Sequence, residues 1–227
     1  MKPLTILIRK IKLRLILLSH LPRIGLLSLS SLRRGKKCLF VDCGSNLGQG
    51  YRFFKIFFPP RLHDAILIEP NPHCIEILKQ KYSKYNNVQF IEAAAWTNHS
   101  RLKLFGLVED ERGEQSSGAS VISKHNESMY ESNAERALEV DAISLSDLIH
   151  EKAKSHNQII IKMDIESSEY EVLQDMIRTG AIQHVKHLFV EFHSDYFKDE
   201  EKKKHQQLEV SLIEQLRNLG LGVTIWV

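Results

Sequence analysis

The chain has 227 residues, 43% hydrophobic and 26% charged, enough for one substantial globular core and unlike a low-complexity or disordered polymer. Its formal charge of +3 hides an asymmetry: residues 1–37 carry ten Lys and Arg and no acid, leaving 21 basic against 28 acidic residues in the remainder. The acidic remainder argues against a nucleic-acid surface, and the three cysteines, Cys38, Cys43 and Cys74, read as reduced and buried rather than as a disulfide framework or metal site.

The first element is the basic arm over residues 1–37. Leu4, Ile6, Leu7, Ile8, Ile11, Leu13 and Leu15 interleave with its basic residues. That pattern suits an amphipathic helix on an anionic membrane surface, or one packed on its own domain. Residues 15–32 are the candidate span, but His20, Pro22, Arg23 and Gly25 interrupt the roughly 20 apolar residues that a span needs. A short signal anchor stays open beside a cytoplasmic or peripheral-membrane location.

Next comes Phe40-Val41-Asp42-Cys43-Gly44-Ser45-Asn46-Leu47-Gly48, an apolar run ending in an acid and a glycine-bracketed turn. It predicts strand one over Leu39–Asp42, then a turn in which Gly44 and Gly48 let the backbone approach a ligand. A helix follows, whose first N–H groups favour an anionic group. Phe53, Phe54, Phe57 and Phe58 lie at neighbouring helical positions, and Pro59-Pro60 ends that helix. Strand two, Ala65–Glu69, ends in an acid 21 positions after Gly48, where a doubly wound fold binds ribose hydroxyls. NAD and S-adenosylmethionine both satisfy this much. A dinucleotide turn needs a middle glycine against the pyrophosphate, and Asn46 stands in that place, while Asp42 puts negative charge at the mouth of the turn. An acid repels a pyrophosphate and suits the ammonium of a methionine moiety, so the charges favour S-adenosylmethionine. The candidate cofactor contacts are Asp42, Gly44, Asn46, Gly48 and Glu69, with Ala94 leaving room for adenine and Trp96 either stacking near the ring or packing.

Asn71 caps the following helix, with Pro72 at its first position. Strand three spans Val88–Ala93, and Arg101–Val108 reads as a half-exposed strand inserted after it. Residues 109–133 are polar and rich in serine and glycine. They form a long loop, either disordered or a cap whose Ser116-Ser117-Gly118-Ala119-Ser120 faces the acceptor. Ser144-Leu145-Ser146-Asp147 starts a helix. Strand four is Gln158–Asp164 and strand five His187–Phe192. The charged run Lys198–His205 reads as a solvated face before a last helix, Leu208–Leu219, and Gly220 and Gly222 end that helix before strand six, Val223–Val227. Alternating strands and helices predict an α/β fold, a Rossmann-like and mostly parallel sheet with helices on both faces, as one domain over 38–227 behind the arm.

Such sheets bind ligands beyond the carboxyl ends of their strands. Asp164 and Glu166 share a face if their strand continues that far, as do Glu191 and His193; if strands four and five are neighbours, as in methyltransferases of this architecture, three carboxylates and an imidazole gather beside the cofactor turn. These four are the candidate catalytic residues. Asp164 and His193 suit proton transfer from an attacking alcohol; Glu166 and Glu191 suit positioning of the acceptor ahead of holding a divalent cation, so no metal ligand is assigned. Lys162 neutralises the carboxylates. Ser168-x-x-Glu171 reads as a capping box, which gives Glu171, and mainly Glu169, a structural role.

Several of these segments together resemble the FkbM-type methyltransferases: VDCGSNLG at Val41–Gly48, IEPNP at Ile68–Pro72, VDAISLSDLI at Val140–Ile149, IKMDIESSEYEVL at Ile161–Leu173 and VEFH at Val190–His193. The resemblance covers roughly Cys38 to Val227. It implies S-adenosylmethionine as cofactor and methylation of a hydroxyl, often on a saccharide or glycosylated small molecule. Two departures stand out. Ser167 replaces the glycine usual in the family's D-x-E-G, which strains the loop if that position needs positive φ. The chain also shows one short apolar stretch where such sheets normally close with an antiparallel pair. The competing readings are a non-catalytic membrane-associated adaptor that keeps the fold and, less favoured, an NAD-dependent oxidoreductase.

Overall fold

The computed structural model describes residues 21–29, 37–110, 113–126 and 130–226. The predicted arm lies outside the described residues except for Lys37 and residues 21–29, which are helical (α1). In chain order there follow β1 (Cys38–Cys43), α2 (Gln49–Phe54), β2 (Asp64–Ile68), α3 (Pro72–Tyr82), β3 (Val88–Ile91), β4 (Ala94–Trp96), β5 (Ser100–Leu104) and β6 (Leu138–Ser144). The second half adds α4 (Leu145–Ala153), β7 (Gln158–Met163), α5 (Glu169–Arg178), β8 (Val185–Val190), α6 (Asp199–Asn218) and β9 (Gly222–Ile225).

Six strands form one sheet in the order β3-β2-β1-β7-β8-β9, parallel at every pairing. Parallel strands covered on both faces read as continuous apolar runs, and β1 is buried along its whole length. Its side chains alternate between two cores. Leu39, Val41 and Cys43 join one cluster with residues of α4, α5 and α6; Cys38 and Phe40 join the other with Tyr51, Phe54, Ile75 and Leu78 of α2 and α3. Each fully buried Phe or Ile contributes about 1.5–3 kcal/mol. Ile24 of α1 is buried in the second cluster, so the core reaches into the segment before residue 38. Strand order reverses between β1 and β7, and this switch point opens the crevice that holds the site.

The predicted elements recur with corrections. The aromatic helix is shorter than expected. α2 ends at Phe54, and tighter bonds from Ile56 N–H to Phe53 and from Phe57 N–H to Phe54 turn the chain so that Phe54 and Phe58 reach Phe40. The last helix is longer. The charged run belongs to α6 itself, whose acidic first turn suits the helix dipole and whose Lys203 pairs with Glu200 one turn away. Strand three stops at Ile91 rather than Ala93, and Ala94–Trp96 after it forms a strand of a second sheet, ordered β4-β6-β5. The expected exposed strand is β5, and its antiparallel partner β6 is an addition to the sequence reading. Among the described residues β9 pairs parallel to β8, not as part of an antiparallel closing pair.

Candidate active site at the β1 and β7 switch point

A cleft of about 480 Å³ opens over the carboxyl ends of β1, β2, β7 and β8. On its β1 side the turn takes left-handed conformations at Gly44, Asn46 and Gly48, with φ of 74°, 43° and 84°. Gly44 is obligatory by contact: a Cβ there would lie 1.7 Å from the Asp164 carbonyl oxygen. The β1 turn and the β7 turn therefore touch backbone to backbone. Gly44 and Ser45 donate their N–H groups to Ile68 O, which ties the turn to the end of β2.

Glu69 completes that tie. Its Oε2 accepts the Asn46 N–H at 2.7 Å and its Oε1 the Asn71 N–H at 3.0 Å. Each oxygen has acceptor capacity beyond these bonds, and Glu69 lines the cleft. Burial raises its pKa to about 7, against the two backbone N–H bonds that hold it down. Of the predicted cofactor residues, Gly44, Asn46, Glu69 and Ala94 line the cleft, whereas Asp42 and Gly48 do not. Asp42 lies behind the wall with Oδ1 at 3.4 Å from Lys162 Nζ, and burial pushes its carboxyl up to about 6 despite that ammonium. Gly48 instead packs against Leu78 and Tyr82 of α3, where a Cβ would fall within 3.0 Å of both. Trp96 is absent from the cleft lining and packs beside the first core.

On the β7 side Lys162 Nζ lies 3.1 Å from Asp164 Oδ2 and donates to Gly44 O, joining Asp42 and Asp164 across two strands. It neutralises the carboxylates as expected, and those acids outweigh burial and hold it firmly as an ammonium. The strand stops at Met163, so Asp164 and Glu166 do not share a strand face. They are brought together by a turn in which Glu166 and Ser167 have φ of 52° and 77°. Ser167 thus holds a conformation that favours glycine. Its hydroxyl lies 2.7 Å from His125 Nδ1, and His125 Nε2 lies 3.0 Å from Glu166 Oε2.

His193 sits at the centre of the acids, 2% exposed. Its Nδ1 lies 2.9 Å from Glu169 Oε1, and its Nε2 faces Glu166 Oε2 at 3.5 Å and Asp164 Oδ1 at 3.6 Å. Burial opposes a charge on the ring, but Glu169, Glu166 and Asp164 overcome it and raise the pKa to about 10. His193 is then an imidazolium at neutral pH and no ready proton acceptor. Glu191, raised to about 7 by burial and the Asp164 charge, is the more accessible acid–base group. Glu169 is a second correction. It is wholly buried, accepts the Ile165 N–H at 2.9 Å and orients His193, while Ser168 makes no side-chain cap.

The long loop approaches the same cleft. Ser116, Ser117, Gly118 and Ala119 line it, Phe105 pairs with Ser120 in an antiparallel bridge, and the Ser120 hydroxyl donates to Glu166 O.

This coincidence of a glycine turn, a β2 acid and a β7–β8 acid–imidazole cluster falls within a recognised domain: the profile of the methyltransferase FkbM domain matches residues 42–220. The chain belongs to the FkbM methyltransferase family. Among curated proteins none matches it. Solved structures similar in fold include an FkbM methyltransferase from Methylobacillus flagellatus KT, 18% identical with a TM-score of 0.45, over 81% of this chain and 37% of that one. Yeast methylglyoxal/isovaleraldehyde reductase Gre2 with NADPH is 10% identical with a TM-score of 0.42, covering 83% and 53%. The plantazolicin methyltransferase BpumL with SAH is 13% identical with a TM-score of 0.34, covering 85% and 59%. The chain thus spans between about a third and three-fifths of each of these structures.

Within this FkbM domain two residues of the cleft region carry no mark in the sequence. His125 comes from the long loop, stacks on Tyr196 with centroids 4.9 Å apart and meets the His193 ring edge to face at 5.7 Å. A histidine in a polar loop gives no periodic signal. Glu169 was masked by a capping pattern that explained the same residue.

Proposed function

We propose that this FkbM protein transfers the methyl group of S-adenosylmethionine to a hydroxyl, with a saccharide or glycosylated small molecule as the acceptor class. The observation that carries the reading is the contact of the Gly44 turn with Asp164, which sets a cofactor cradle and an acid cluster side by side in one cleft. The residues fit the cofactor. Small Ala94 and Ala95 leave space for a flat base, Glu69 offers lone pairs to ribose hydroxyls, and Asp42, Glu69 and Asp164 bias the cradle toward a cationic ligand. A pyrophosphate fits poorly, because Lys162, the one Lys or Arg among the described lining residues, is already shared by Asp42 and Asp164. When bound, S-adenosylmethionine supplies an activated methyl on a sulfonium. The chain aligns the acceptor: Asp164 and Glu191 face its hydroxyl and accept its proton, His193 stands beside Asp164 as a buried cation fixed by Glu169, and residues 116–119 of the loop cover it.

Binding of S-adenosylmethionine and its demethylated product by calorimetry tests the cradle. Isotopic methyl transfer onto a panel of hydroxyl acceptors tests the reaction. Asp164→Asn is expected to lower turnover about 100-fold or more while leaving cofactor affinity within a few fold. A protein that binds the cofactor yet transfers no methyl to any acceptor would favour the adaptor reading, to which Ser167 at φ 77° gives some support.

We further propose that the basic segment 1–37 meets an anionic membrane surface. The ten basic residues without an acid support this, as do Leu26 and Leu29, exposed on α1. Among the described residues no helix is long and apolar enough to cross a membrane. Sedimentation with phosphatidylserine vesicles, lost in high salt, is the expected result.

A further inference from the structure

We propose that Asp164, Glu191 and His193 form a divalent-cation site that binds the acceptor oxygen, an inference that rests on the methyltransferase reading for its role but not for its existence. One ligand atom from each residue lies within 4.8 Å of the others. Octahedral coordination at about 2.1–2.3 Å spaces neighbouring ligands by about 3 Å and opposite ones by a little over 4 Å, so the three side chains can share one ion after small adjustments.

The imidazole supplies the decisive observation. His193 is buried, and its Nδ1 is engaged by Glu169 at 2.9 Å, leaving Nε2 aimed at the carboxylates. The oxygens nearest to Nε2, at 3.5 and 3.6 Å, are too far for a good hydrogen bond. Nε2 stands at ion-pair distance from the two acids, so a cation bound here takes the place of the Nε2 proton and meets a buried ring nitrogen already pointed into a group of acids. Metal-ligating histidines characteristically give their other nitrogen to a carboxylate, which fixes tautomer and orientation. Glu169, itself anchored by the Ile165 N–H, stands where that second partner belongs.

The acids are arranged to match. Lys162 holds Asp164 by Oδ2, which leaves Oδ1 on the side of His193. Among the described residues none donates a side-chain hydrogen bond to Glu191, whose backbone is fixed by the Met163 carbonyl. Four carboxylates (Asp164, Glu166, Glu169 and Glu191) surround His193, and Lys162 is shared with Asp42, so a divalent cation that replaces the His193 Nε2 proton still meets more carboxylate than Lys162 balances. One imidazole with two carboxylates suits Mn²⁺ or a similar first-row ion better than a purely oxygen-seeking one. Three protein ligands leave coordination positions for water and for the acceptor hydroxyl. A hydroxyl on the ion loses its proton more readily; with Asp164 and Glu191 occupied as ligands, Glu166, outside the ligand set and lining the cleft, takes that proton in their place.

Mn²⁺ titrated into the full chain without cofactor, followed by electron paramagnetic resonance and calorimetry, tests the site. One bound ion is expected. Glu191→Gln should weaken it at least tenfold, and Glu169→Gln by about 10–100-fold with the circular dichroism unchanged. Glu191 is partly exposed, so its variant folds even if His193→Ala does not. Failure of Mn²⁺, Mg²⁺ and Zn²⁺ to bind, or binding indifferent to Glu191→Gln, overturns the proposal. Methyl transfer that survives chelation, in a protein that binds none of these ions, overturns the site alone and leaves the methyltransferase reading standing. Mn²⁺ binding that depends on Glu191, in a protein without affinity for S-adenosylmethionine, supports the site and sinks that reading instead.

Discussion

Gly44 is where the two halves of the cleft meet, because its missing side chain is what lets the β1 turn rest on the Asp164 carbonyl. Gly44→Ala would place a methyl 1.7 Å from that oxygen at φ 74°, and backbone, unlike a side chain, cannot swing aside. The expected cost is about 2–4 kcal/mol, read from the urea midpoint, with cofactor affinity falling as the turn is pushed off Asp164. An unchanged midpoint would show that the two turns are not locked together. Ser167 poses a subtler case. Ser167→Ala keeps the left-handed strain and removes the hydroxyl beside buried His125, for an expected loss of about 1–3 kcal/mol. Ser167→Gly loses the same bond but relieves the strain, so it should be about 1 kcal/mol more stable than the alanine variant. Equal midpoints would mean that the serine is unstrained. The site was legible in the sequence wherever a residue type is demanded by position: glycines in a turn, acids at strand ends. It was illegible where a contact depends on turn conformation. The left-handed pair Glu166–Ser167 redirects the chain after β7, and that bend, invisible in the spacing, brings Glu169 onto His193 and His125 onto Glu166.

At the scale of elements the sheet's edge is the informative case. β9 passes so close to His187 that a Cβ on Gly222 would lie 2.2 Å from its Nδ1, while Nε2 of the same ring lies 2.9 Å from Thr224 Oγ1 on β9. The ring is buried and packs on Phe189, with little room to rotate. Gly222→Ala is therefore expected to cost about 1–3 kcal/mol and to speed hydrogen exchange selectively at β9 amides. Exchange unchanged at residues 222–225 would show that the edge is held by the Trp226 contacts with Phe53 and Phe54 alone. The core strands could be read because two-sided burial makes each a run such as Leu39–Val41 or Ile159–Ile161, which no surface element imitates. β6 escaped, since its one-sided burial mixes Glu139, Asp141 and Ser144 with Val140 and Ala142. The start of α6 escaped because helical i,i+3 charge pairs and a solvated loop share one composition. The end of β7 shows a limit of another kind. Period-two reasoning holds only while the strand lasts, and Asp164 already lies past it.

At the scale of the whole molecule, the buried acids of the cradle make stability and ligand binding depend on pH in opposite senses. Asp42 and Glu69 are raised from 3.8 and 4.5 to about 6 and about 7, chiefly by burial. A carboxyl raised on folding binds its proton more tightly in the native state. Its stabilisation is complete below the ordinary pKa and is lost as pH climbs through the raised one. The two together should remove on the order of 5 kcal/mol from the ligand-free protein between about pH 4 and pH 7.5. His193, raised to about 10, adds to the loss only above its ordinary 6.5. Asp64, lowered by His156 and Lys37 against its partial burial, costs stability only toward and below pH 4. The ligand-free melting temperature should therefore peak near pH 5 and fall toward pH 8. A cationic ligand reverses the balance, because it favours the ionised acids. Affinity for S-adenosylmethionine should rise about tenfold or more from pH 5.5 to 7.5, with proton release on binding, measured by calorimetry in buffers of different ionisation enthalpy. Asp42→Asn should flatten both profiles, while Lys162 keeps Asp164 as its partner. A melting temperature that rises steadily to pH 8, or cofactor binding that takes up protons, would mean that the cradle acids are already ionised and that burial is not what sets their charge.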